Sequence, residues 1–249
     1  MTSLQGLTAV VTGSTSGIGR AIALEFAAAG AAVLVHGRRS SEAARAVTDT
    51  VRRQGADSAV EMADIADPAQ ARQFVDRAWA WRGKVDIWVN NAGADTLTGE
   101  AARWPFEKKL DALWQVDVRG TIALSRLAGA RMKTAGRGVI LNVGWDQAES
   151  GMAGDSGELF ATTKGAIMAF TKSLARSLAP HVRVNCLAPG WIKTSWGENA
   201  SQDWQDRAVR EALLARWGTP EDVARTATFL ASPAAAFITG QIVAVNGGH

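Results

Sequence analysis

The sequence predicts an α/β fold in which one parallel sheet of about seven strands is covered by helices on both faces. Short apolar or β-branched runs alternate along the chain with longer segments of helical periodicity, as in successive βαβ units. No linker, low-complexity tract or internal repeat divides the 249 residues, of which 47% are hydrophobic. We therefore expect residues 1–249 to form a single doubly wound domain with one sizeable core.

Local patterns assign the individual elements. The predicted strands are 7–12, 32–36, 59–62, 85–89, 139–143, 182–187 and 242–245. Helical periodicity predicts helices over 17–29, 106–132 and 159–178. Two more helices begin at capping signals, one at Ser40 or Ser41 and one where Asp67 precedes Pro68.

Composition excludes several classes of function. The net charge of +3 is spread along the chain without a run of five basic residues, so neither nucleic-acid nor membrane-surface binding is expected. One cysteine, Cys186, permits no intrachain disulfide and fits a reducing compartment. No signal pattern or spanning apolar run is seen, so a cytoplasmic protein is expected. The dispersed residues His36, His181 and His249 predict no metal site.

A glycine-rich turn between the first strand and first helix predicts a dinucleotide site. Glycines there let the backbone approach a pyrophosphate, and a helix N-terminus provides N–H groups and partial positive charge. A glycine- and serine-rich turn without a ligand is the alternative, but the strand before and helix after favour a Rossmann-type site. The turn reads Thr12-Gly13-Ser14-Thr15-Ser16-Gly17-Ile18-Gly19.

The end of the second strand favours NADP(H) over NAD(H). A carboxylate there would accept hydrogen bonds from the ribose 2′-OH and repel a 2′-phosphate. This strand instead runs into Arg38 and Arg39, whose guanidinium groups suit a phosphate. A solvated arginine pair is the alternative interpretation.

With these motifs in place, the whole chain resembles the short-chain dehydrogenase/reductase family. The resemblance implies that Asp64 and Ile65 flank the adenine, and it assigns further cofactor contacts to two later segments. The matching motifs after the glycine turn are Asp64-Ile65, Asn90-Asn91-Ala92-Gly93, Pro189-Gly190-Trp191-Ile192-Lys193-Thr194, Thr239-Gly240-Gln241 and Asn246-Gly247-Gly248. Within them, the adenosine-ribose side is implied for Asn90, Asn91, Ala92 and Gly93, and the nicotinamide side for Pro189, Gly190, Ile192 and Thr194.

The catalytic positions depart from the family pattern. Members usually present a Ser, then Tyr-x3-Lys on the helix after the fifth strand, with an Asn on the preceding long helix. Here Phe160 stands at the tyrosine position and Lys164 is kept, which by resemblance binds the nicotinamide ribose. Phe160 has no hydroxyl and cannot act as an acid or base. Trp145, next to Gly144, falls at the serine position.

Substitute proton donors are available in the sequence. Asp117 stands at the asparagine position and either pairs with Lys164 or is solvated. Asp146 directly follows Trp145, and Glu158 precedes Phe160 in an acidic segment. A carboxyl group in a desolvated aromatic pocket has a raised pKa and can donate a proton near neutral pH. For Asp155 and Ser156, in the same segment, helix capping is the alternative role.

Aromatic composition points to the substrate. The chain has ten tryptophans and no tyrosine. Trp145, Phe160, Trp191 and Trp196 fall on segments that should border the substrate, where a flat or aromatic molecule would stack. Ordinary packing is the alternative, and it is the expected role of the others considered, namely Trp79, Trp81, Trp88 and Trp114.

Three functional hypotheses follow. The first is an NADP(H)-dependent oxidoreductase of small molecules that has a non-standard proton donor or reduces a polarised C=C or C=N bond. The second is a catalytically silent NADP(H)-binding scaffold or sensor, and the third a non-redox lyase or isomerase. The family resemblance also implies a homo-oligomer, tetramer or dimer, packed through helices 106–132 and 159–178.

Overall fold

The computed structural model describes residues 2–248, and its centre is one parallel sheet of seven strands in the order β3-β2-β1-β4-β5-β6-β7. The predicted fold class is therefore confirmed, with strand positions close to those expected from the apolar runs. The strands are β1 (Thr8–Val11), β2 (Ala32–Gly37), β3 (Ser58–Met62), β4 (Ile87–Asn90), β5 (Gly138–Val143), β6 (Val182–Pro189) and β7 (Ile242–Val245).

Helices cover both faces of the sheet. On one face α1, α2 and α9 pack over a buried cluster that includes Ala9 and Val11, and on the other α3, α5 and α6 cover Val10. Neighbouring residues of β1 thus enter opposite cores, as strand geometry requires. The α-helices are α1 (Gly17–Ala28), α2 (Ser41–Arg53), α3 (Pro68–Arg82), α4 (Phe106–Leu113), α5 (Thr121–Thr134), α6 (Asp155–Leu178), α7 (Ser195–Glu198), α8 (Gln202–Glu211) and α9 (Pro220–Ala231).

The predicted helix starts of α2 and α3 can now be assigned to single caps. The Ser40 hydroxyl accepts from the N–H of Ala43, and the Asp67 carboxylate accepts from the N–H groups of Ala69 and Gln70. Of the two serines considered for α2, the cap is therefore Ser40. Pro68 occupies the first turn of α3, as expected.

Two helix predictions need correction. The stretch 106–132 is not one α-helix, because a π-helical segment, Trp114–Gly120, joins α4 to α5. The helix predicted at 159 begins at Asp155, and neither Asp155 nor Ser156 caps it. Its N-cap is Gly154 with φ +93°, and no side-chain cap bond is made. Helices α7 to α9 lie in a region where the sequence analysis assigned none.

The strand order indicates where a ligand site would lie. It reverses between β1 and β4, and ligands of such sheets bind at this switch point beyond the carboxyl ends of the strands. The glycine turn follows β1, Arg38 follows β2 and Asn91 follows β4. Within residues 2–248, no helix is long and apolar enough to cross a membrane.

Candidate active site

The glycine turn after β1 requires two of its glycines because other chain segments approach too closely for a side chain. A Cβ on Gly13 would lie 2.7 Å from the Cα of Ala92, and Gly13 also has φ +62°. A Cβ on Gly19 would lie 2.3 Å from both the Gly13 carbonyl oxygen and Asn91 Nδ2. The Ser16 side chain makes no cap bond to α1, which starts at Gly17. The turn and helix end thus fit a pyrophosphate.

Two side chains hold this turn from behind. His36 Nδ1 accepts the Gly13 N–H at 3.1 Å, and His36 Nε2 lies 3.1 Å from the Ala63 carbonyl oxygen. Burial lowers the pKa of His36 to about 4, so the ring is neutral at neutral pH and its Nε2–H donates to Ala63. Asn91 Nδ2 donates to the carbonyl oxygens of Thr12 and Gly13. The role of His36 was not anticipated, and its only sequence signal is its place at the buried end of β2.

A groove of about 510 Å³ runs over this turn and brings together most of the predicted cofactor residues. Arg38 and Arg39 are exposed at the end of β2, and the Arg38 guanidinium lies 3.7 Å from the Asp64 carboxylate. The predicted residues among its lining are Gly13, Thr15, Ser16, Gly17, Ile18, Gly19, Arg38, Arg39, Asp64, Ile65, Asn91, Ala92, Gly93 and Thr194.

Two of the predicted cofactor residues have side chains that are buried in the core instead. Ser14 is fully buried, and its hydroxyl donates to the Val11 carbonyl oxygen. Asn90, implied by resemblance to line the ribose side, turns into the core instead. Its amide nitrogen donates to Ser125 Oγ and Asn142 Oδ1, because the last residue of β4 points between β5 and α5.

A second cavity of about 480 Å³ adjoins the groove. Ile18, Asn91 and Thr194 line both spaces, so the two meet at the end where the resemblance places the nicotinamide. Pro189, Gly190 and Ile192 also line the second cavity rather than the groove. The arrangement provides a cofactor groove that opens onto a separate substrate space.

One face of α6 lines this second cavity. Ser156, Phe160 and Lys164 stand four residues apart, the spacing that aligns side chains along a helix. Phe160 and Trp145, both lining residues, meet edge to face with ring centroids 6.3 Å apart. A Cβ on Gly144 would lie 2.8 Å from Met168 and 2.9 Å from Cys186 Sγ, so this position is restricted to glycine. Ser156 was considered earlier only as a cap.

Lys164 and Asp117 form a buried ion pair. Lys164 Nζ lies 2.9 Å from Asp117 Oδ2, and the Asp117 side chain is 2% exposed. Its other oxygen accepts the Ala94 N–H at 2.8 Å. Asp117 sits in the π-helical segment, a type of distortion that often occurs at functional sites. Of the two alternatives for Asp117, pairing with Lys164 is the one observed.

The other candidate proton donors do not line the cavity. Glu158 and Asp155 are exposed, and the α6 face carrying Phe160 turns Glu158 away. Asp146 lies nearer: its Oδ1 accepts the Gln147 N–H, and its Oδ2 lies 2.9 Å from where a Cβ on Gly190 would stand. Cys186 is also unsuited to chemistry, since burial raises its thiol pKa to about 12.

Tryptophans from the segment after β6 form the far wall. Trp191, Trp196 and Trp204 line the cavity, with ring centroids 5.4 to 6.2 Å apart. Trp217 packs behind them against Trp191. Trp191 Nε1 donates to Glu211, which fixes the indole against α8. Trp204 and Trp217 were missed because the region had no assigned helix.

Three of the four tryptophans expected to have packing roles lie in or at the edge of the core. Trp88 is fully buried in β4, and Trp79 stacks on it at 6.0 Å. Trp81 packs at the edge of the same core. Trp114 is 40% exposed, so a packing role between subunits stays a prediction for it. Across residues 2–248, no group of three potential metal ligands is found, and His249 lies outside that range.

Comparison with known proteins agrees with this architecture. A family model described as enoyl-(acyl carrier protein) reductase matches residues 13–249. The 3-oxoacyl-[acyl-carrier-protein] reductase FabG of Aquifex aeolicus is 36% identical over 251 residues, covering 98% of this chain and 98% of that protein.

Two solved structures show the same fold with different cofactors. A gluconate 5-dehydrogenase from Burkholderia cenocepacia in complex with NADP and tartrate is 31% identical, with TM-score 0.88, and the match covers 99% of this chain and 96% of the other. A 7α-hydroxysteroid dehydrogenase complexed with NADH and 7-oxo glycochenodeoxycholic acid is 32% identical, with TM-score 0.90 and coverage of 99% and 95%. The chain belongs to the short-chain dehydrogenase/reductase family of oxidoreductases.

Proposed function

We propose that this protein is an NADP(H)-dependent reductase of small, flat molecules that works without a tyrosine proton donor. The observation that carries this proposal is the junction of two spaces at Ile18, Asn91 and Thr194. On one side lies a groove shaped for a dinucleotide, and on the other an aromatic cavity that contains Lys164. Such a junction brings the nicotinamide ring against a molecule held between aromatic side chains.

The preference for NADP(H) rests on the end of β2. Arg38 and Arg39 are exposed at the groove, and guanidinium groups bind a phosphate through charge-assisted hydrogen bonds. The one nearby carboxylate of the groove lining, Asp64, is paired with Arg38 at 3.7 Å. Relatives are known with NADP and with NADH, so the proposed preference for NADP(H) rests on this pair of arginines.

The chain's own residues divide the work of the reaction. Bound NADPH supplies the hydride. Lys164, held by Asp117 at 2.9 Å, presents its ammonium group for the nicotinamide ribose. Ile192 and Thr194 orient the carboxamide, as the family resemblance implies. Phe160 and Trp145 exclude water and provide ring surface where other members hold and protonate a substrate oxygen. General acid catalysis contributes about 10²–10⁴-fold, so its loss slows carbonyl reduction without preventing hydride transfer.

Cofactor titration followed by a substrate panel tests the proposal. We expect quenching of tryptophan fluorescence to show an NADPH complex at least about 10-fold tighter than the NADH complex, and NADPH oxidation with at least one compound having an activated C=O, C=C or C=N bond. Absence of any complex would contradict the proposal. Tight binding with no turnover across the panel would identify a silent scaffold or sensor instead, and turnover without cofactor would identify a lyase or isomerase.

We further propose that residues 1–249 act as one domain in a cytoplasmic homo-oligomer, a dimer or tetramer. By family resemblance, α4 to α6 supply an interface. Leu213, Leu214 and Phe237 are further exposed apolar side chains, at 83%, 66% and 105% relative exposure. Light scattering coupled to size-exclusion chromatography gives the mass, and a monomer at micromolar concentration would refute the oligomer.

A further inference from the structure

We propose that the aromatic cavity binds a flat organic cation, an N-substituted iminium ion, whose C=N bond is reduced to a tertiary amine. The inference rests on the proposed function and names its substrate class. It follows from two features of the cavity taken together: five aromatic side chains border it, and its lining includes no phenol, imidazole or carboxylic acid to protonate a developing alkoxide.

The chemical balance differs between the two kinds of acceptor. In an iminium ion, the hydride from NADPH forms a C–H bond at carbon and the C=N π electrons move to nitrogen, giving a neutral amine and NADP⁺. No proton is taken up. In a ketone the same transfer leaves an alkoxide, which must gain a proton from a donor in the site. An iminium substrate therefore removes the need for the missing phenol.

The lining offers no phenol, imidazole, thiol or carboxylic acid as a proton donor. Among the described residues 2–248, those lining the cavity include no Tyr, His, Cys, Asp or Glu, and the only ionisable one is Lys164. That ammonium is held at 2.9 Å by Asp117. Ser156 and Thr194 contribute hydroxyls, but an aliphatic alcohol is a far weaker acid than a phenol. Asp146, another of the candidate acids, lies against Gly190, accepts the Gln147 N–H and is not among the lining residues.

The same lining favours a positive charge. Five aromatic side chains border the cavity: Trp145, Phe160, Trp191, Trp196 and Trp204. The faces of such rings attract cations, and cages of them recognise quaternary ammonium groups. This wall already binds one cation, since the Arg207 guanidinium lies 4.9 Å from the centroid of Trp204 and 5.6 Å from that of Trp191. Asp117 balances Lys164, so no net positive charge faces the ligand.

A matched pair of substrates separates the cation from its neutral counterpart. N-methyl-3,4-dihydroisoquinolinium and 1-tetralone have similar size and shape, but only the first carries a permanent charge. We expect NADPH oxidation with the iminium ion to show kcat/KM at least about 100-fold above the ketone, and no decrease of that value between pH 6 and pH 9. Equal or faster reduction of the ketone, or reduction of neither compound by enzyme that binds NADPH, would overturn the cation proposal alone. Loss of NADPH binding itself would overturn the proposed function.

Binding without turnover gives an independent readout. We expect N-methylisoquinolinium to quench tryptophan fluorescence with a dissociation constant at least about 10-fold below that of 2-methylnaphthalene. Trp145→Leu should remove most of this preference and Trp145→Phe should keep it, because only the second retains a ring face. Trp81→Leu, outside the cavity, is the control for the change in tryptophan number. Equal binding of the charged and neutral compounds by the parent protein would contradict the proposal.

One variant tests the hydroxyl alternative. If Ser156 delivered a proton to a ketone, Ser156→Ala would abolish any ketone reduction and leave the iminium reaction unchanged. We expect Ser156→Ala to leave the ratio of the two rates within about 3-fold of the parent value, because the hydroxyl transfers no proton in either reaction. A contrary outcome has two parts: the parent protein reduces the ketone as fast as the iminium ion, and Ser156→Ala then loses the ketone reaction alone. That pair of results would assign the site to carbonyl substrates and overturn the proposal.

Discussion

The cofactor groove and the aromatic cavity share three lining residues, yet their shapes are set by different parts of the chain. The groove depends on backbone: Gly13 and Gly19 touch neighbouring segments so closely that no side chain fits. The cavity depends on side chains, chiefly rings such as Trp145 and Phe160, which meet edge to face and stand where the family resemblance implies hydroxyl-bearing residues. Substitutions in a groove formed by close backbone contacts disrupt its shape. Substitutions in a cavity lined by side chains can change its chemistry while the fold is kept.

The largest expected effect is on the groove. Gly19→Ala places a Cβ 2.3 Å from the Gly13 carbonyl oxygen, so the turn must move. We expect NADPH affinity to fall by about 1,000-fold, equivalent to about 4 kcal/mol. Isothermal titration measures it. Gly165→Ala is the matched control, because a Cβ at that position in α6 meets nothing within 4 Å. A folded Gly19→Ala protein with parental NADPH affinity would show that the groove is not restricted by its backbone.

The second largest effect concerns the ion pair between Lys164 and Asp117 beside the cavity. Lys164→Met leaves the Asp117 carboxylate buried without its partner at 2.9 Å. Breaking a buried ion pair on one side costs about 3–5 kcal/mol, and we expect about 3 kcal/mol because the Lys164 side chain keeps 14% exposure. Urea denaturation measures it. Lys164→Met with Asp117→Asn should recover most of the loss. Unchanged stability of the single variant would mean that the pair has no structural role.

Lowering the pH should lower the free energy of unfolding through protonation of His36, which holds the glycine turn. Its pKa is lowered from 6.5 to about 4 by burial, so the unfolded state binds more protons between those two values. The contribution to stability is fully present above pH 6.5 and is lost as the pH falls toward 4. The expected loss is about 3 kcal/mol across this window. His36→Asn, which cannot titrate, should show a flatter decline in urea denaturation at pH 7, 5.5 and 4. An equally steep decline in that variant would assign the effect to carboxylates elsewhere.

A smaller effect tests the phosphate end of the groove. Replacing Arg38 and Arg39 together by serine removes the guanidinium groups at the end of β2. We expect NADPH affinity to fall by about 10- to 100-fold, since one hydrogen bond to a charged group contributes about 1.5–3 kcal/mol. NADH affinity should change by less than about 3-fold. Arg72→Ser, on the exposed surface of α3, serves as control. Parallel losses for both cofactors would argue against a 2′-phosphate site.

The smallest effect concerns the altered wall. Phe160→Tyr introduces a phenol, but Trp145, which also lines the cavity, stands where the family resemblance implies the serine that holds the substrate oxygen. We expect this variant to raise 1-tetralone reduction by less than about 10-fold, as judged by NADPH oxidation. Adding Trp145→Ser should raise it further. A gain above about 100-fold from Phe160→Tyr alone would show that the wall differs from a ketone site only by one hydroxyl.

The fold and the groove could be predicted because their signals are local in the sequence. Buried strands read as apolar runs, and the turn from Gly13 to Gly19 reads as a motif between a strand and a helix. Other features depend on tertiary structure. The π-helical turn at Asp117 forms where the chain meets α6. Helix α8 is short and mostly polar, with Trp204, Ala208 and Val209 as its apolar residues, so it gives a weak signal in the sequence.

The sequence alone also did not predict which way the side chains of the site residues point. Asn90 and Asn91 are neighbours of one residue type, yet Asn90 bonds within the core and Asn91 faces the groove. Strand alternation explains this outcome only once the register of β4 is known. Glu158 was a reasonable candidate by its distance from Phe160 along the sequence, but helix geometry turns it to solvent.

The contact between Lys164 and Asp117 has a consequence for how this protein could be altered by mutation and selection. The two residues lie on different helical segments, and each neutralises the buried charge of the other. The effect of substituting one therefore depends on which residue stands at the other position. Substitutions at 117 and 164 should therefore be strongly epistatic. A selection that changes either residue alone would stall at intermediates with a lone buried charge, whereas a library that varies both positions together would avoid them.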